Sequence, residues 1–431
     1  MSIKSRIIPI IQEVLDGKFS NIVLNKFFSE NTFIEKERKF ITEIFYGVIR
    51  KKLFLDYMID FKVKSVKKDW IRNLLRISIY QITFMNSDDK GVVWEGTELA
   101  KKKFGVSVGK FINGVLRGYI REKDELIEKL KEEREDIYLS YPKWFYDKIK
   151  NEYPNKYVEI LQSLKKIPYV SFRVNKLKYT EKEFEILLKN RGISTIKKVD
   201  GVYYINTGSL IYSDEFKDGK IIIQDGSSYV AAKNLDPLPN EIVLDACAAP
   251  GGKTAVIAEF MGNIGEIVSL DIYPHKIKLI EENNHKLGIT ISRAVNLDAR
   301  KINMQGKKFD KILIDAPCSG YGVLRKKPET IYRKKVDNIE SISKLQFEML
   351  ESVSEVLKDG GNLVYSTCTI LKEENTENIG KFLEKHTKFS VEKLEIPNNV
   401  NGVYDKYGGF QIDHNEEVLD SFYFIKLKKN V

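Results

Sequence analysis

Three short segments of this chain carry residue types that could do chemistry, and each contains one of the three cysteines. They are residues 243–254 (VLDACAAPGGKT), 315–320 (DAPCSG) and 366–369 (STCT). A thiolate is a strong nucleophile, and glycines in the turn after a strand let the backbone approach a ligand closely. The pattern therefore predicts a bound small molecule next to nucleophilic sulfur.

The glycine-rich turn does not fit the two common nucleotide-binding motifs. A phosphate-binding P-loop needs a glycine five positions before its Gly-Lys-Thr, but Cys247 occupies that position and Pro250 lies inside the loop. A dinucleotide fingerprint is excluded because its glycine spacing is absent. A different ligand must be considered.

Acidic residues after successive strands favour a cationic ligand, S-adenosylmethionine. Asp271 comes 19 residues after Gly252, where its carboxylate could accept hydrogen bonds from ribose hydroxyls. Asp298 could accept one from an adenine amino group, and Asp315 follows the next predicted strand. Any one such aspartate is more often a turn former or helix cap. Three at successive strand ends, together with the glycine turn, reverse that preference.

The cysteines suggest which group would accept the methyl. Carbon-5 of cytosine is a poor nucleophile, but a thiolate that adds to carbon-6 makes an enamine whose carbon-5 attacks the sulfonium methyl. Loss of the carbon-5 proton and expulsion of the thiolate complete the turnover. One of Cys318 and Cys368 suffices for the attack, the other could assist release, and Asp315 could stabilise the protonated ring nitrogen. We interpret Cys247 as a small buried hydrophobe.

The elements that must position these segments follow from hydrophobic patterning. EIVLDA, EIVSLDI, KILIDAP and NLVYST are near-continuous apolar runs, as in parallel strands buried on both faces. A helix before the last of them, which should end at Gly360-Gly361, completes a doubly wound α/β domain that binds ligands at the carboxyl ends of its strands. Upstream, residues 1–130 show the spacing of an all-α bundle: Ile71, Leu74, Leu75, Ile79 and Ile82; then Ile112, Val115, Leu116 and Tyr119.

The predicted domains are a helical bundle at 1–130, a small α+β connecting region at 138–235 and the α/β domain at 236–431. The charge run at 123–136 would be a surface helix or a linker between the first two. Strand-like pieces at 169–175 and 220–224 lie in the connecting region.

Composition favours a polyanionic partner and excludes several classes of protein. Lys plus Arg number 71 against 61 Asp plus Glu, and residues 1–130 carry 25 against 17. Three cysteines argue against a disulfide framework and for the cytoplasm; with four histidines and no CxxC pair, we expect no metal site. No apolar run approaches the roughly 18 residues of a membrane span.

The three motifs together resemble those of the ribosomal RNA 5-methylcytosine methyltransferases, specifically the bacterial RsmB (Sun) type of the Nol/Nop/Sun superfamily. The resemblance implies that Cys368 is the nucleophile and that Cys318 promotes product release, a division that the residues alone do not make. It also implies a Rossmann-like S-adenosylmethionine-dependent methyltransferase domain. The implied cofactor-binding residues are Cys247, Ala248, Ala249, Pro250, Gly251, Gly252, Lys253, Asp271, Asp298 and Asp315.

The resemblance covers nearly the whole chain. FYGVIR (45–50), LLRISIYQITFM (74–85) and KFINGVLR (110–117) are similar to the NusB-like RNA-binding domain of this family, and FRVN (172–175) and QDGSSYVAA (224–232) to its connecting region. Two departures occur near the end: Asp413 stands near a usual proline, and Asp420-Ser421-Phe422-Tyr423 replaces Asp-Gly-Phe-Phe.

Two basic clusters are candidates for contact with RNA phosphates. Lys110, Arg117 and Arg121 have helical spacing on the side opposite the apolar face, and Lys101–Lys103 precede them. Arg325, Lys326, Lys327 and Arg333, the last followed by two lysines, come just after the DAPCSG segment. A solvated surface is the alternative for any single one of these side chains.

The sequence thus predicts a monomeric cytoplasmic enzyme that methylates carbon-5 of a cytosine in 16S ribosomal RNA. Two alternatives remain open. One is a transfer RNA cytosine-5 methyltransferase. The other is a non-catalytic RNA-binding transcription or assembly factor with a vestigial methyltransferase fold, which the retention of both thiols disfavours.

Overall fold

The computed structural model describes residues 2–333 and 337–431, which form two compact units. Unit 1 comprises Met1–Lys166 and Leu324–Lys334, and unit 2 comprises Ile167–Val323 and Lys335–Val431. Residues 138–166, the first part of the predicted connecting region, lie in unit 1. Lys165 shows why: its ammonium donates hydrogen bonds to the carbonyls of Arg50 (2.7 Å) and Leu139 (2.9 Å).

Unit 1 is helical, as predicted. Its helices are α1 (Ile3–Leu15), α2 (Ser20–Ser29), α3 (Glu35–Arg50), α4 (Lys52–Lys62), α5 (Asp69–Phe84), α6 (Asp89–Phe104), α7 (Val106–Glu133), α8 (Glu135–Tyr138), α9 (Lys143–Glu152), α10 (Tyr157–Ser163) and α16 (Thr330–Arg333). The apolar face of α5 and Ile112, Leu116 and Tyr119 of α7 are buried in one core. Helix α7 continues through most of the charge run because Leu126 and Leu130 also reach this core.

Unit 2 contains two sheets. The smaller one is antiparallel, with strand order β2-β3-β1-β4. Its strands are β1 (Val170–Val174), β2 (Thr195–Val199), β3 (Val202–Ile205) and β4 (Ile221–Ile223), with helices α11 (Glu181–Asn190), α12 (Asp214–Lys217) and α13 (Gly226–Lys233). The predicted strand pieces at 169–175 and 220–224 are thus β1 and β4, which pair with each other.

The larger sheet has the order β11-β12-β13-β9-β8-β5-β6-β7, and β10 pairs with β13. Its elements are β5 (Ile242–Asp245), α14 (Gly252–Phe260), β6 (Glu266–Asp271), α15 (Pro274–Leu287), β7 (Ser292–Asn296), β8 (Phe309–Asp315), α17 (Asp337–Glu355), β9 (Leu357–Thr367), α18 (Thr376–Lys385), β10 (Phe389–Val391), β11 (Gly402–Tyr404), β12 (Phe410–Ile412) and β13 (Tyr423–Lys429). Strands β7, β6, β5, β8 and β9 are parallel neighbours. The four predicted strands are β5, β6, β8 and β9, and the order reverses beside β5, where such sheets bind ligands.

One predicted boundary is wrong. Helix α17 ends at Glu355 rather than at Gly360-Gly361, because Val356 and Leu357 enter the core under the sheet. The two glycines lie within β9, where the pairing register with β8 shifts and Gly360 has φ +81°. Across the described ranges, no helix is both long enough and apolar enough to cross a membrane.

Candidate active site

The glycine-rich turn joins β5 to α14 at the carboxyl edge of the large sheet. The Ala248 N–H donates to the Leu270 carbonyl of β6 (2.8 Å), and Asn283 Nδ2 donates to the Pro250 carbonyl (2.7 Å). Gly251 has φ +104°, a conformation that strains other residues. The turn is therefore held from both sides, and glycine is needed at its tightest point.

A buried carboxylate lies beneath this turn. Asp245, the last residue of β5, is fully buried, and the Thr254 hydroxyl donates to its Oδ2 (2.7 Å). Burial raises the pKa of Asp245 to about 6. Its Oδ1 has no hydrogen-bond partner among the described residues. Sequence reasoning missed Asp245 as a site residue, although it stands in the motif.

Two further carboxylates follow the neighbouring strands. Asp271 ends β6, where its Oδ1 accepts from the Tyr273 N–H (3.0 Å) and its Oδ2 lies 3.3 Å from Lys276 Nζ. Asp298 lies two residues beyond β7, and Arg300 Nη2 donates to its Oδ2 (2.7 Å). Hydrogen bonding from Arg300 lowers the pKa of Asp298. An adenine amino group would therefore share Asp298 with a guanidinium.

Asp315 closes this edge of the sheet at the end of β8. Lys253 Nζ lies 2.5 Å from its Oδ2, and the Ser366 hydroxyl donates to its Oδ1 (3.0 Å). Lys253, predicted from the cofactor turn, is thus held by the carboxylate predicted to contact the base. The set of carboxylates at these strand ends fits a cationic, ribose-bearing ligand and disfavours a phosphate.

The structure brings the two motif cysteines together. Asp315 of β8 pairs in register with Ser366 of β9, so Cys318 and Cys368 leave adjacent strands at the same edge. Their Sγ atoms are 3.2 Å apart. The hydrogen bond with Cys368, followed by burial, raises the pKa of Cys318 well above its ordinary value. Cys318 is therefore held in its protonated form beside Cys368.

Cys247 has different surroundings. It packs against the apolar cluster around Leu244 and Leu270 under the sheet, and burial raises the pKa of its thiol well above the ordinary value. These surroundings suit the small apolar role predicted for its side chain.

A buried glutamate that sequence reasoning missed connects the two cysteine loops. Glu374 is fully buried; its Oε2 accepts from the Ser319 N–H (2.8 Å), and its Oε1 accepts from the Thr369 hydroxyl (3.2 Å). The Ser319 and Thr369 hydroxyl oxygens are themselves 2.6 Å apart. Each of these partners is the residue after a motif cysteine, so Glu374 fixes both loops at once.

Side chains from α17 and β9 also hold Glu374 in place. Gln346 Nε2 donates to Glu374 Oε2 (2.9 Å) and to the Pro317 carbonyl (3.0 Å), and the Tyr365 hydroxyl donates to the Glu374 carbonyl (2.7 Å). The available sequence signal was the acidic pair at 373–374, five residues beyond the cysteine of the STCT segment.

A Glu374→Ala variant will lower the free energy of unfolding by about 3 kcal/mol, because it leaves buried donors without an acceptor. Methyl transfer by the folded fraction will fall about 100-fold, since misplaced reacting groups cost about that much. Glu374→Gln, which keeps the size, will show smaller losses, and Glu377→Gln on the exposed first turn of α18 is the matched control. The pH profile of thiol alkylation tests the positioning role. If Glu374→Ala leaves that profile and transfer unchanged, Glu374 does not position the thiols.

Gly322 ties the loop after Cys318 to the loop of Cys368 and to the last strands. Its N–H donates to the Cys368 carbonyl (2.9 Å), and its carbonyl accepts from the Ser421 N–H (3.3 Å). A Cβ at this position would lie 2.0 Å from the Ser421 carbonyl oxygen, which only glycine avoids.

The two departures from the family pattern are locally accommodated. The Ser421 hydroxyl lies 2.6 Å from His414 Nδ1. Asp413 donates its N–H to the Asn401 carbonyl (2.9 Å), a hydrogen bond that a proline could not make. Both departures therefore carry hydrogen bonds of their own, and Ser421 also contacts Gly322 of the loop after Cys318.

Two segments of the connecting region, at 172–175 and 224–232, support the glycine-rich turn through side-chain contacts. Arg173 of β1 forms a buried ion pair with Glu259 of α14 (2.5 Å) and donates to Gln224. Gln224 Nε2 in turn donates to the Gly252 carbonyl (3.2 Å). Within unit 2, the small sheet thus holds the helix that begins at the turn.

The predicted RNA-contacting residues separate into groups. Lys110, Arg117 and Arg121 are exposed on α7, but Lys110 lines one groove, with Lys62, while the two arginines line another.

The prediction that Arg325 of the second basic cluster contacts RNA is wrong. Arg325 is 3% exposed, and its Nε donates to the Ser163 carbonyl (2.9 Å), so it joins the segment after Val323 to unit 1 instead of facing solvent. Lys326 and Arg333 are half-buried, Arg333 donating to the Lys18 carbonyl, and Lys327 is exposed. The two lysines at 334–335 lie outside the described residues.

Among the residues that the structure describes, no group of three or more His, Cys, Asp or Glu side chains could hold a metal ion.

Comparisons with known proteins match all three regions. The profile of the family described as 16S rRNA methyltransferase RsmB/F matches residues 232–428, that of the NusB family residues 2–121, and that of an RsmF/B-like ferredoxin-like domain residues 141–202. The probable ribosomal RNA small subunit methyltransferase B of Bacillus subtilis (strain 168) is 36% identical over 425 residues, 95% of each chain.

Solved structures agree with this fold. The crystal structure of PH0851 superposes with a TM-score of 0.84 at 29% identity, covering 100% of this chain and 99% of the other. NSun6 from Pyrococcus horikoshii, solved with SFG, an S-adenosylmethionine analogue, gives a TM-score of 0.62 at 23% identity over 67% of this chain and 98% of its own.

Proposed function

The chain belongs to the RsmB/F family of 16S rRNA methyltransferases, and on that premise we propose that it methylates carbon-5 of a cytosine. The family establishes an enzyme that uses S-adenosylmethionine to methylate small-subunit ribosomal RNA. The observation that supports the choice of base is the pair of thiols 3.2 Å apart at the edge of the cofactor turn. Cytosine carbon-5 needs a nucleophile to activate it, whereas an amino or hydroxyl target does not.

The residues that would hold the cofactor are those of the turn, residues 247–253, and the carboxylates that follow the strands. When bound, S-adenosylmethionine supplies an electrophilic methyl group on a sulfonium. In this proposal Asp271 would accept hydrogen bonds from ribose hydroxyls, and Asp298 from the adenine amino group beside Arg300. Gly251 gives the turn its left-handed backbone conformation, with φ +104°.

Cys368 is the proposed nucleophile. Its thiolate adds to carbon-6 of a cytosine that has been unstacked from its neighbours, because a sulfur atom must approach the face of the ring. The ring nitrogen takes a proton from water as the carbon–sulfur bond forms and returns it when Cys368 is expelled. Asp315 accepts a hydrogen bond from this N–H, with Lys253 and Ser366 fixing the carboxylate. Carbon-5 then becomes nucleophilic and takes the methyl group.

Cys318 is the proposed base for release. The hydrogen bond to Cys368 is the largest cause of its raised pKa, and that cause disappears once Cys368 is bonded to carbon-6. The pKa of Cys318 then falls toward its ordinary value, its proton passes to solvent, and its thiolate accepts the carbon-5 proton. Expulsion of Cys368 as a thiolate restores the starting pair, and the cycle releases one proton per methyl transferred.

The RNA-facing surfaces and the location remain part of the proposal. Arg117, Arg121, Lys110 and Lys327 are the exposed candidates for phosphate contact, and a ribosomal RNA substrate implies action in the cytoplasm.

Bisulfite sequencing of 16S ribosomal RNA from cells with and without the gene tests the proposal. We expect one protected cytosine in wild-type RNA, its complete conversion in the deletion strain, and its restoration by the wild-type gene. Transfer RNA from the same cells is the control and should not change. A methyl group lost from another base, or from transfer RNA, would contradict the proposed target.

A further inference from the structure

A groove of about 640 Å³ runs between α6 and α7 of unit 1 and takes no part in the proposed chemistry. Trp94 lines one wall from α6, and Arg117 and Arg121 line the other from α7. The Trp94 side chain is 69% exposed. A large aromatic ring that is left in water beside cations is typical of a binding surface.

The charge in this groove favours an anion. Lys90, Arg117 and Arg121 contribute three positive charges, while Asp89 lies 4.0 Å from Lys123 Nζ, which offsets its charge. The two arginines are one helical turn apart, a spacing at which like charges repel unless an anion lies between them. Asn113 Oδ1 accepts from Arg117 Nε (3.1 Å) and orients that guanidinium.

The opposite side of Trp94 has the opposite character. It borders a second groove whose lining includes Asp88, Glu95 and Glu98. Lys102 also lines that groove, and Glu95 and Glu98 are paired with Lys4 and Lys101, so its acidic excess is small. The α7 side, which presents three cations, is the more favourable approach for a polyanion.

We propose that this groove binds a single-stranded segment of RNA, with one base stacked on Trp94 and flanking phosphates on Arg117 and Arg121. Aromatic stacking accepts any base because every base presents a π-face, and arginines hold the backbone. The inference rests on the proposed function, since it takes the ribosomal RNA substrate as the occupant. It adds a contact in unit 1 for a single-stranded part of that RNA.

Binding of a 12-nucleotide unstructured RNA by the full chain tests the stacking contact. Trp94→Ala should weaken binding about 10-fold, and Trp94→Phe, which keeps an aromatic face, should recover most of that loss. Binding of a fully paired RNA duplex should not change, because its bases are not available to stack. The fluorescence of Trp94 should also be quenched by the single strand.

The arginine contacts have their own readout. Arg117→Gln and Arg121→Gln should each reduce the dependence of log affinity on log salt by about 0.7 for a single strand. Lys129→Gln, an exposed residue on the same helix outside the groove, is the matched control and should leave the slope unchanged.

Equal binding by wild type and Trp94→Ala would overturn the inference, as would an equal loss for single strand and duplex. Self-association or protein binding that Trp94→Ala abolishes, with RNA binding intact, would also overturn it. Methylation of 16S RNA by the same preparations separates the two proposals. If the wild-type enzyme makes 5-methylcytosine but Trp94→Ala binds RNA normally, only the groove proposal is refuted. If Trp94→Ala weakens single-strand binding but the wild-type enzyme makes no 5-methylcytosine, only the proposed target base is refuted.

Discussion

A Cys368→Ala variant will bind S-adenosylmethionine with wild-type affinity and will transfer methyl groups to RNA at least about 10⁴-fold more slowly. Removal of a covalent nucleophile typically costs this much or more, because no other group forms the same intermediate. Asp271 and Asp298, the carboxylates proposed to hold the cofactor, follow other strands, so the loss of one sulfur leaves them in place. Tritiated methyl transfer to 16S RNA and calorimetric cofactor binding measure the two quantities.

The neighbouring thiol makes this a demanding test. Cys318 is only 3.2 Å away and could replace the missing nucleophile if the roles were reversed. Full activity in Cys368→Ala would therefore refute the assignment. Cys368→Ser is the matched variant: it keeps a hydroxyl of similar size, and because a neutral hydroxyl is a poor nucleophile it should be as inactive as alanine.

The positions of both thiols could be anticipated from the sequence, but their support could not. Strand patterning predicts β8 and β9, and parallel neighbours end at one edge, so Cys318 and Cys368 had to approach each other. Glu374 bonds to Ser319 across 55 residues of chain, and nothing local in an acidic pair signals a buried carboxylate. Only packing decides that Glu374 points inward while Glu377 is exposed.

Arg325 shows the converse case, in which a residue predicted to face solvent is buried. A basic run after a catalytic motif favours RNA contact, yet the backbone carbonyl of Ser163 captures the guanidinium and removes it from solvent. Likewise Gly360-Gly361 predicts the end of a helix, although both glycines lie in a strand irregularity. Local composition carries no information about the distant element that a segment will pack against.

A Cys318→Ala variant will accumulate a covalent complex between protein and methylated RNA. Without the proposed base, the carbon-5 proton stays on the ring, so the carbon-6 bond to Cys368 cannot be broken by elimination. Loss of a general base slows a step about 10²- to 10⁴-fold, which makes release slower than methyl transfer. A denaturing gel of protein incubated with cofactor and radiolabelled 16S RNA should show the complex.

The double variant Cys318→Ala/Cys368→Ala separates this adduct from other crosslinks, and it should form none. The pH dependence adds a second constraint. In the wild type the hydrogen bond with Cys368 and burial raise the pKa of Cys318, so Cys318 holds its proton while the pair is intact. Attack of Cys368 on carbon-6 removes that hydrogen bond, so the pKa of Cys318 falls at the step that needs a base. Release should therefore slow as the pH falls in the wild type, whereas in Cys318→Ala it should be slow at every pH. A gel that shows no adduct with Cys318→Ala, together with normal turnover, would mean that another group removes the carbon-5 proton.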